Sequence, residues 1–349
     1  MYDLIVIGGG PAGATFARNI SDRYKTLLID RTNKQGKCCG GLIAPDAQKM
    51  LASFDMGIPR NIMSDPQLFY VRAYDLKTGK YRNYQRHYTN VNRSDLDNYL
   101  LESVPQTVEI RKNTIYISHE VNNKIVTVFV KTGDIIDQLQ CKILVGADGA
   151  YSQVRKTEFN DFKKMNKYLA IQGEYENKIG INHFGVFFHP GITDFYSWLI
   201  PKSNKILIGG AFIEGDNPRK KYHDLIQSIK SIGYEIDEPV KINASYLIRP
   251  GIKDIKTNGV QTALIGEAAG FISPSSAEGL SYAYKSAFLL TRAMNISFDG
   301  WSKRYQKYSR GLKINIFQKS LKGLLMYNEV TRNIIFRLNI GSVKIHDRQ

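Results

Sequence analysis

The first thirty residues of the chain combine a continuous apolar run, a glycine-rich turn and a helical pattern. In DLIVIGGGPAGATFARNISDRYKTLLIDR the apolar residues form an unbroken run, then recur at helical spacing, and then form a second run. This order predicts a strand, a helix and a second strand, which make one βαβ unit. The strands of such a unit lie parallel, so the pattern indicates an α/β fold.

Three glycines lie between the first predicted strand and the helix. They form the pattern G-x-G-x-x-G, which permits a tight turn, the close approach of a pyrophosphate and close packing of the helix. The helix N-terminus adds amide donors for phosphate, and the acid that ends the second strand can bind an adenosine ribose. We therefore predict a dinucleotide site that contains Gly8, Gly10, Pro11, Ala12, Gly13, Asp30 and Arg31.

Other elements follow from local patterns. Turn residues, capping residues and alternation of apolar residues identify them, and we find no internal repeat. The patterns predict a helix over PDAQKMLASF with Pro45 in its first turn, a hairpin about Thr78-Gly79, a helix over 94–104 capped by Ser94, sheet over 182–212, a surface helix over 217–233 and a long helix over about 276–294.

Length and cysteine content bound the organisation of the protein. A chain of 349 residues with 43% hydrophobic side chains predicts two lobes or one large composite domain. Three cysteines, two of them adjacent, do not make a disulfide framework, and no run approaches the roughly 18 apolar residues of a transmembrane helix. We expect a cytoplasmic protein that does not span a membrane. The six histidines lack metal-ligand spacing, so we also expect no metal.

Positive charge is concentrated near the C-terminus. The chain carries a net charge of +16, and residues 301–349 hold eleven Lys or Arg against Glu329 and Asp347, which places +9 there. Nucleic-acid binding is not expected, because no basic and aromatic pattern of a known nucleic-acid fold is present. We predict instead that the segment docks peripherally on an anionic membrane; the alternative is that it folds back over the protein as core. The interspersed apolar residues are Trp301, Tyr305, Ile316, Phe317, Leu324, Leu325, Ile335 and Phe336.

Two further glycine motifs carry a family resemblance. Together with the N-terminal G-x-G-x-x-G, GADGAYSQVR and GEAAGFISPSSAEGL resemble the flavoprotein group of p-hydroxybenzoate hydroxylase type, in which the three motifs hold one FAD. The resemblance implies a Rossmann-like FAD-binding domain, a substrate domain with a mixed or antiparallel sheet, and a helical C-terminus. It also implies FAD contacts from Arg93, Asp148, Gly149, Gly266, Glu267, Gly279 and Leu280; Glu267 stands where Asp is common.

Two adjacent cysteines narrow the resemblance. CCGGLI looks like the cysteine-glycine segment of the geranylgeranyl reductase family, which lies beside the flavin. It implies that Cys39, Gly40 and Gly41 contact FAD and that Cys38 or Cys39 is the acid of catalysis, and the sequence leaves open which one. The other interpretation is that both thiols only pack where the flavin approaches the backbone.

The segment DFYSWLIPKSN strengthens the reductase interpretation. It resembles a segment of the same family that lines the substrate cavity, which implies substrate contacts from Tyr196, Trp198 and Pro201. It also resembles W-x-W-x-I-P of flavin-dependent halogenases, but Tyr196 replaces the first Trp. A counterpart of the halogenase lysine is not recognisable, and Lys37 is merely the nearest candidate.

These motifs predict an FAD-dependent oxidoreductase that reduces C=C bonds of an isoprenoid or other hydrophobic small molecule. The alternatives are a hydroxylase or halogenase that acts through a flavin hydroperoxide, and an electron-transfer flavoprotein without a small substrate. Because no second G-x-G-x-x-G is present, electrons would come from transiently bound NADPH or from a donor protein. We expect a composite FAD domain from 1–57, 93–160 and 250–297, a substrate domain from 58–92 and 161–249, and a basic helical segment over 298–349.

Overall fold

The computed structural model describes residues 1–31, 38–159, 167–178, 180–339 and 341–345. Two β-sheets and the helices that pack on them make up this part of the chain. The strands are β1 (Tyr2–Ile7), β2 (Thr26–Ile29), β3 (Leu42–Ile43), β4 (Leu68–Asp75), β5 (Tyr81–Asn90), β6 (Glu109–Arg111), β7 (Thr114–Asn122), β8 (Ile125–Thr132), β9 (Ile135–Gly146), β10 (Lys167–Glu176), β11 (Phe184–Phe188), β12 (Ser197–Lys202), β13 (Lys205–Ile213), β14 (Lys241–Ile248) and β15 (Thr262–Leu264).

The helices lie between and after these strands. They are α1 (Pro11–Asn19), α2 (Pro45–Ser53), α3 (Arg93–Glu102), α4 (Gln153–Phe159), α5 (Pro218–Ser231), α6 (Leu280–Ile296), α7 (Trp301–Tyr308), α8 (Arg310–Tyr327) and α9 (Glu329–Arg337), with short 3₁₀ turns at Arg60–Ile62, Ile252–Asp254 and Gly266–Ala269. Within the described residues, no helix combines the length and the apolar character that crossing a membrane requires.

The first sheet has the order β6-β2-β1-β9-β8-β7, with β15 also paired to β9. Strands β6, β2, β1, β9 and β15 pair in parallel, whereas β7, β8 and the start of β9 form an antiparallel meander. The inner strands are buried over their apolar runs, as expected of parallel strands that are covered on both faces. Helix α1 packs against α6 beside this sheet.

The second sheet has the order β14-β10-β13-β12-β11-β4-β5-β3. Its pairs are antiparallel except for β11 with β4. Helix α5 buries Tyr222, Leu225, Ile226 and Ile229 in an apolar cluster on one face. A second cluster, rich in aromatic side chains, contains Trp198, Phe184 and Phe188.

Helices α7, α8 and α9 fold back over both sheets. The hydroxyl of Tyr305 donates to the Leu264 carbonyl oxygen at 3.0 Å, and Arg332 Nε donates to Asp75 Oδ2 at 2.8 Å in a buried ion pair. The alternative that this segment folds back over the protein as core holds for part of its apolar residues. Trp301, Tyr305, Ile316 and Phe336 are buried, whereas Phe317, Leu324 and Leu325 are exposed.

Most predicted elements are confirmed, with two corrections. The hairpin about Thr78-Gly79, the helix after Pro45 and the surface helix α5 are present. Ser94 is not the cap of α3: Asn92 holds that position, and its side chain accepts a hydrogen bond from the Ser94 amide at 3.1 Å. The long helix starts at Leu280 instead of about 276, because the Glu278 carboxylate accepts from the Ser281 amide and so ends the preceding turn.

Candidate active site

The three glycine motifs meet at one edge of the first sheet. The Ala147 amide donates to the Ile7 carbonyl oxygen at 2.8 Å, and the Ile265 amide donates to Gly146 at 3.0 Å. The residues that follow β1, β9 and β15 therefore lie side by side at the carboxyl ends of parallel strands. This is where α/β sheets bind ligands. We call this region the glycine edge and define it by Gly8, Gly13, Ala147 and Gly266.

The glycine edge has no space for side chains at its glycines. A Cβ at Gly13 would overlap the Gly8 carbonyl oxygen, and one at Gly8 would lie 2.5 Å from the Ala147 carbonyl oxygen. Gly266 has a φ of +58°, and its Cβ would lie 2.9 Å from that of Ala12. The glycines therefore permit a tight turn and close packing of the helix, which fits the turn that binds the pyrophosphate of FAD.

Asp30 and the start of α1 complete the predicted dinucleotide site. The Gly9 amide donates to Asp30 Oδ1 at 3.2 Å, and the Asp30 side chain is buried directly after β2. Gly10 is the N-cap of α1 and Pro11 is its first residue, where a missing N–H costs no helical hydrogen bond. Arg31 is exposed.

The Asp148 carboxylate caps α4. It accepts hydrogen bonds from the Ser152 hydroxyl at 2.5 Å and from the Gln153 amide at 2.7 Å. Burial raises the pKa of Asp148, and these hydrogen bonds oppose the increase. The adjacent Gly149 has a φ of +82° and nothing within 4 Å of a Cβ position. Contact with a dinucleotide at this turn would therefore come from its backbone.

The third motif brings Glu267 to the start of α6. A Cβ at Gly279 would lie 3.2 Å from Glu267 Oε1, and Leu280 is the first residue of α6. The Gly266 amide donates to the Ser286 hydroxyl at 2.9 Å, which fixes the turn against the helix. Glu267 and the Gly279–Leu280 backbone thus lie together, as the FAD assignment requires.

Arg93 contacts both Asp97 of its own helix and Cys39. At the start of α3, its Nε lies 2.9 Å from Asp97 Oδ1, and its Nη1 donates to Cys39 Sγ at 2.9 Å. Burial would lower the pKa of Arg93, but the charges of Asp97 and Cys39 hold it above its usual value. The sequence predicted Arg93 and Cys39 separately, and the structure brings them into contact. Asp97 was missed, although its i,i+4 spacing from Arg93 is a signal for such a pair.

The two cysteines point to different partners. We call residues 38–41 the cysteine segment. The Cys38 thiol donates to the Asn243 carbonyl oxygen at 3.0 Å, on edge strand β14 of the second sheet. Burial raises the pKa of Cys38 to about 11, and the hydrogen bond with Ser245 opposes this increase. Cys38 therefore keeps its proton at neutral pH, while Cys39 lies against the Arg93 guanidinium.

The glycines of the cysteine segment touch the second sheet. A Cβ at Gly40 would overlap the end of the Ile200 side chain, and one at Gly41 would overlap the Val91 carbonyl oxygen. Lys202, which the sequence analysis missed, donates to the carbonyl oxygens of Val91 at 2.6 Å and Gly41 at 3.4 Å. Burial lowers the pKa of Lys202 to about 7, and the charge of Cys39 opposes the decrease. The sequence offers one indication of this residue: a lysine directly follows Pro201 in the predicted substrate segment.

The predicted substrate residues lie on or beside β12. Trp198 Nε1 donates to Gln172 Oε1 at 2.9 Å, and the Tyr196 hydroxyl donates to the Ser276 carbonyl oxygen at 2.6 Å. The Pro201 carbonyl oxygen accepts from Asn90 at 2.8 Å. Tyr196 therefore reaches the turn before α6, whereas Trp198 is fixed against β10. The halogenase candidate Lys37 lies outside the described residues.

Known proteins match this chain along most of its length. Residues 1–172 match a protein family described as an FAD binding domain. Protein CbrA of Escherichia coli K12 is 30% identical over 348 residues, which cover 98% of this chain and 98% of that protein.

Solved structures show the same fold. A geranylgeranyl bacteriochlorophyll reductase-like protein from Thermoplasma acidophilum matches with a TM-score of 0.84 and 16% identity over 99% of this chain and 92% of its own. PqsL of Pseudomonas aeruginosa, a probable FAD-dependent monooxygenase, matches with a TM-score of 0.71 and 14% identity over 98% of this chain and 100% of its own.

These matches confirm the predicted fold class, a mixed α/β fold of p-hydroxybenzoate hydroxylase type with a helical C-terminus. They confirm FAD as the cofactor, whereas NADPH and the narrower geranylgeranyl reductase family stay proposals. A 30% identity over almost the entire length places the chain in the CbrA family, within the class of FAD-dependent oxidoreductases.

Proposed function

We propose that the protein reduces C=C bonds of an isoprenoid or another hydrophobic small molecule. The observation that carries this proposal is the contact between the cysteine segment and β12. Gly40 packs against Ile200, and Cys38 packs against the apolar cluster that contains Trp198. A thiol pair and an aromatic strand, which are far apart in the sequence, thus form one region between Arg93 and the second sheet.

The aromatic side chains near this region suit an apolar substrate. Tyr196 and Trp198 meet edge to face with ring centroids 6.1 Å apart, and Phe195 stacks on Tyr327 at 5.6 Å. Tyr84 and Tyr88 of β5 pack against the same cluster. Aromatic walls with few polar groups bind hydrophobic molecules and fix their orientation.

FAD, when bound and reduced, supplies a hydride to one carbon of the alkene. The chain must then supply a proton to the other carbon, so that two hydrogens are added in total. We assign this proton to Cys39, because the Arg93 guanidinium lies 2.9 Å from its sulfur and stabilises the thiolate that remains. Asp97 holds the guanidinium in place, and water returns the proton between turnovers.

Cys38 is the weaker candidate for the acid. Its proton is engaged with the Asn243 carbonyl oxygen, and a pKa of about 11 makes it a poor donor at neutral pH. Its contacts with β14 indicate that it positions the cysteine segment instead. The two thiols, which the sequence could not separate, therefore receive different roles in the proposal.

Anaerobic turnover tests the reaction. Holoprotein reduced with dithionite is mixed with a prenyl alcohol, and we expect the product to gain two hydrogens per double bond while the flavin is reoxidised. Dithionite stands in for the natural electron donor, so the result does not depend on whether that donor is NADPH or a protein. The monooxygenase alternative predicts a different result: the substrate would stay unchanged without oxygen, and in air it would gain an oxygen atom.

Single cysteine variants test the assignment of the acid. We expect Cys39→Ala to slow turnover by roughly 10²–10⁴-fold without loss of flavin, the usual contribution of a general acid. Cys38→Ala should have a smaller effect, and Cys141→Ala, buried in β9 away from the cysteine segment, is the thiol control. Equal rates for wild type and Cys39→Ala would show that Cys39 only packs.

A further inference from the structure

Helix α8 carries an apolar stripe on the face that points away from the protein. The stripe consists of Ile314, Phe317, Leu321, Leu324 and Leu325, whose side chains are between 47% and 71% exposed. At about 100° per residue, these positions fall within an arc of about 100°, the width of a helix face that is normally buried. A contiguous exposed patch of this kind marks an interaction site.

The opposite face of α8 is fixed to the protein. Leu312 and Ile316 are buried, and the Tyr327 hydroxyl donates to the Ser275 carbonyl oxygen at 2.9 Å. Tyr282 of α6 donates a hydrogen bond to Asn315, which holds the helix near its middle. The stripe therefore cannot turn inward without breaking these contacts. It is a permanent surface of the folded chain.

The charges around the stripe distinguish between a second copy of the chain and a lipid surface as its binding partner. Arg310 and Lys313 lie at its N-terminal end, Lys322 lies beside it, and the nearby acid Glu329 is paired with Lys77 at 3.0 Å. A second copy of the chain would bring the same cations together in a two-fold contact, which is repulsive. An anionic lipid surface instead offers phosphate to the cations and hydrocarbon to the stripe.

We propose that α8 docks on an anionic membrane surface, with Ile314, Phe317, Leu321, Leu324 and Leu325 inserted below the lipid headgroups. Phe317, Leu324 and Leu325 belong to the set that the sequence suggested, whereas Trp301, Tyr305, Ile316 and Phe336 of that set belong to the core. The helix lies directly over the turn at Ser275, which precedes α6. Docking therefore brings the aromatic cluster around Trp198 close to the lipid. Membrane binding itself does not depend on the proposed reaction.

Vesicle co-sedimentation tests the proposal with the full-length holoprotein. We expect wild type to pellet with vesicles of phosphatidylcholine and phosphatidylglycerol at low salt, and to stay in the supernatant with phosphatidylcholine alone or at high salt. Leu324→Ser with Leu325→Ser should weaken binding by roughly tenfold or more for each leucine. Arg310→Glu with Lys322→Glu should weaken it by roughly fivefold or more for each charge.

Matched variants on other surfaces are the controls. Ile135→Ser with Ile136→Ser removes equally exposed apolar side chains from β9, and Arg219→Glu with Lys220→Glu removes exposed charges from α5. Both should bind like wild type. Three results would overturn the proposal: no preference of wild type for anionic vesicles, equal losses in the controls, or a dimer in gel filtration that the leucine variant dissociates. Flavin content verifies that each variant is folded.

Discussion

The glycine edge and the cysteine segment are held in place by different kinds of contact. At the glycine edge, the contacts are between backbone atoms: Gly8 and Ala147 follow adjacent parallel strands, and Gly13 of α1 packs against the Gly8 carbonyl oxygen. At the cysteine segment, side chains contact distant parts of the chain, such as the Cys39 thiol with the Arg93 guanidinium and the Cys38 thiol with the Asn243 carbonyl oxygen. The first region tolerates one residue type at each position, whereas the second depends on which partners the fold brings together.

This difference determines how each region responds to substitution. A side chain added at the glycine edge meets rigid backbone, so the damage is local and the ligand is excluded. A side chain removed near the second sheet leaves a distant partner without its hydrogen bond or charge, so the damage appears as lost stability or misplaced chemistry. Substitutions in the two regions should therefore have different effects on flavin binding and on stability.

Gly13→Ala should abolish FAD binding. Helix propensity alone would favour Ala over Gly by about 0.5–1 kcal/mol, so a purely local argument predicts a more stable helix α1. The added Cβ would, however, overlap the Gly8 carbonyl oxygen and push the turn into the space of the pyrophosphate. We expect purified Gly13→Ala to contain almost no flavin by absorbance, even after incubation with FAD.

Gly57→Ala is the matched control for this prediction. Gly57 has an ordinary φ and nothing within 4 Å of a Cβ position, so we expect full flavin content. If Gly13→Ala also bound FAD normally, the backbone of the glycine edge would be adaptable, and the contrast with the cysteine segment would not hold.

Arg332→Met should destabilise the protein without emptying the FAD site. It leaves Asp75 buried without its charge partner, and breaking such a pair costs about 3–5 kcal/mol. Burial would raise the pKa of Asp75, but the hydrogen bond and charge of Arg332 hold it below its usual value. In the variant burial is left to raise the pKa of Asp75, so the advantage of wild type should shrink as the pH falls through that raised pKa toward the lowered pKa of wild type. Urea unfolding across this pH range measures both effects.

The double variant Asp75→Asn, Arg332→Met tests the cause of the loss. Because it removes both charges, it should recover much of the stability that Arg332→Met loses. Loss of flavin from Arg332→Met at neutral pH would show that the C-terminal helices also maintain the glycine edge, and the two regions would then not be independent.

The same division explains what the sequence could predict. Gly8, Gly13 and Asp30 are recognisable because their roles depend on neighbours within one βαβ unit. Arg93 and Cys39 are 54 positions apart in the sequence, and Arg332 and Asp75 are 257 apart. Local sequence patterns therefore cannot predict either pair. Ser94 was preferred as the cap of α3 because Asp95 and Asp97 follow it, but Asn92, an equally good cap, lies two residues earlier. The sequence left the C-terminal segment open between core and membrane surface because its apolar residues serve two faces, one buried and one exposed.

Lys202 lies beside the cysteine segment and provides the smallest predicted effect. Its amine donates to the carbonyl oxygens of Val91 and Gly41 and to the Asn90 side chain, and so ties the cysteine segment to β5. Three oxygen acceptors favour the ammonium form, whereas burial favours the neutral amine and lowers the pKa of Lys202 to about 7. Which influence dominates determines whether the cation persists beside Cys39 above neutral pH.

The charge state of Lys202 can be tested by comparing the free energy of unfolding of wild type with that of Lys202→Met from pH 7 to pH 9. An unfolded lysine has a pKa of about 10.4, so with a folded pKa of about 7 the unfolded chain binds more protons in this range. The free energy of unfolding of wild type should then rise relative to the variant by up to about 1.4 kcal/mol per pH unit. Lys253→Met, at an exposed position, should show no such rise. A constant difference between wild type and Lys202→Met would mean that the three oxygens outweigh burial, and that Lys202 stays a fixed cation behind the cysteine segment.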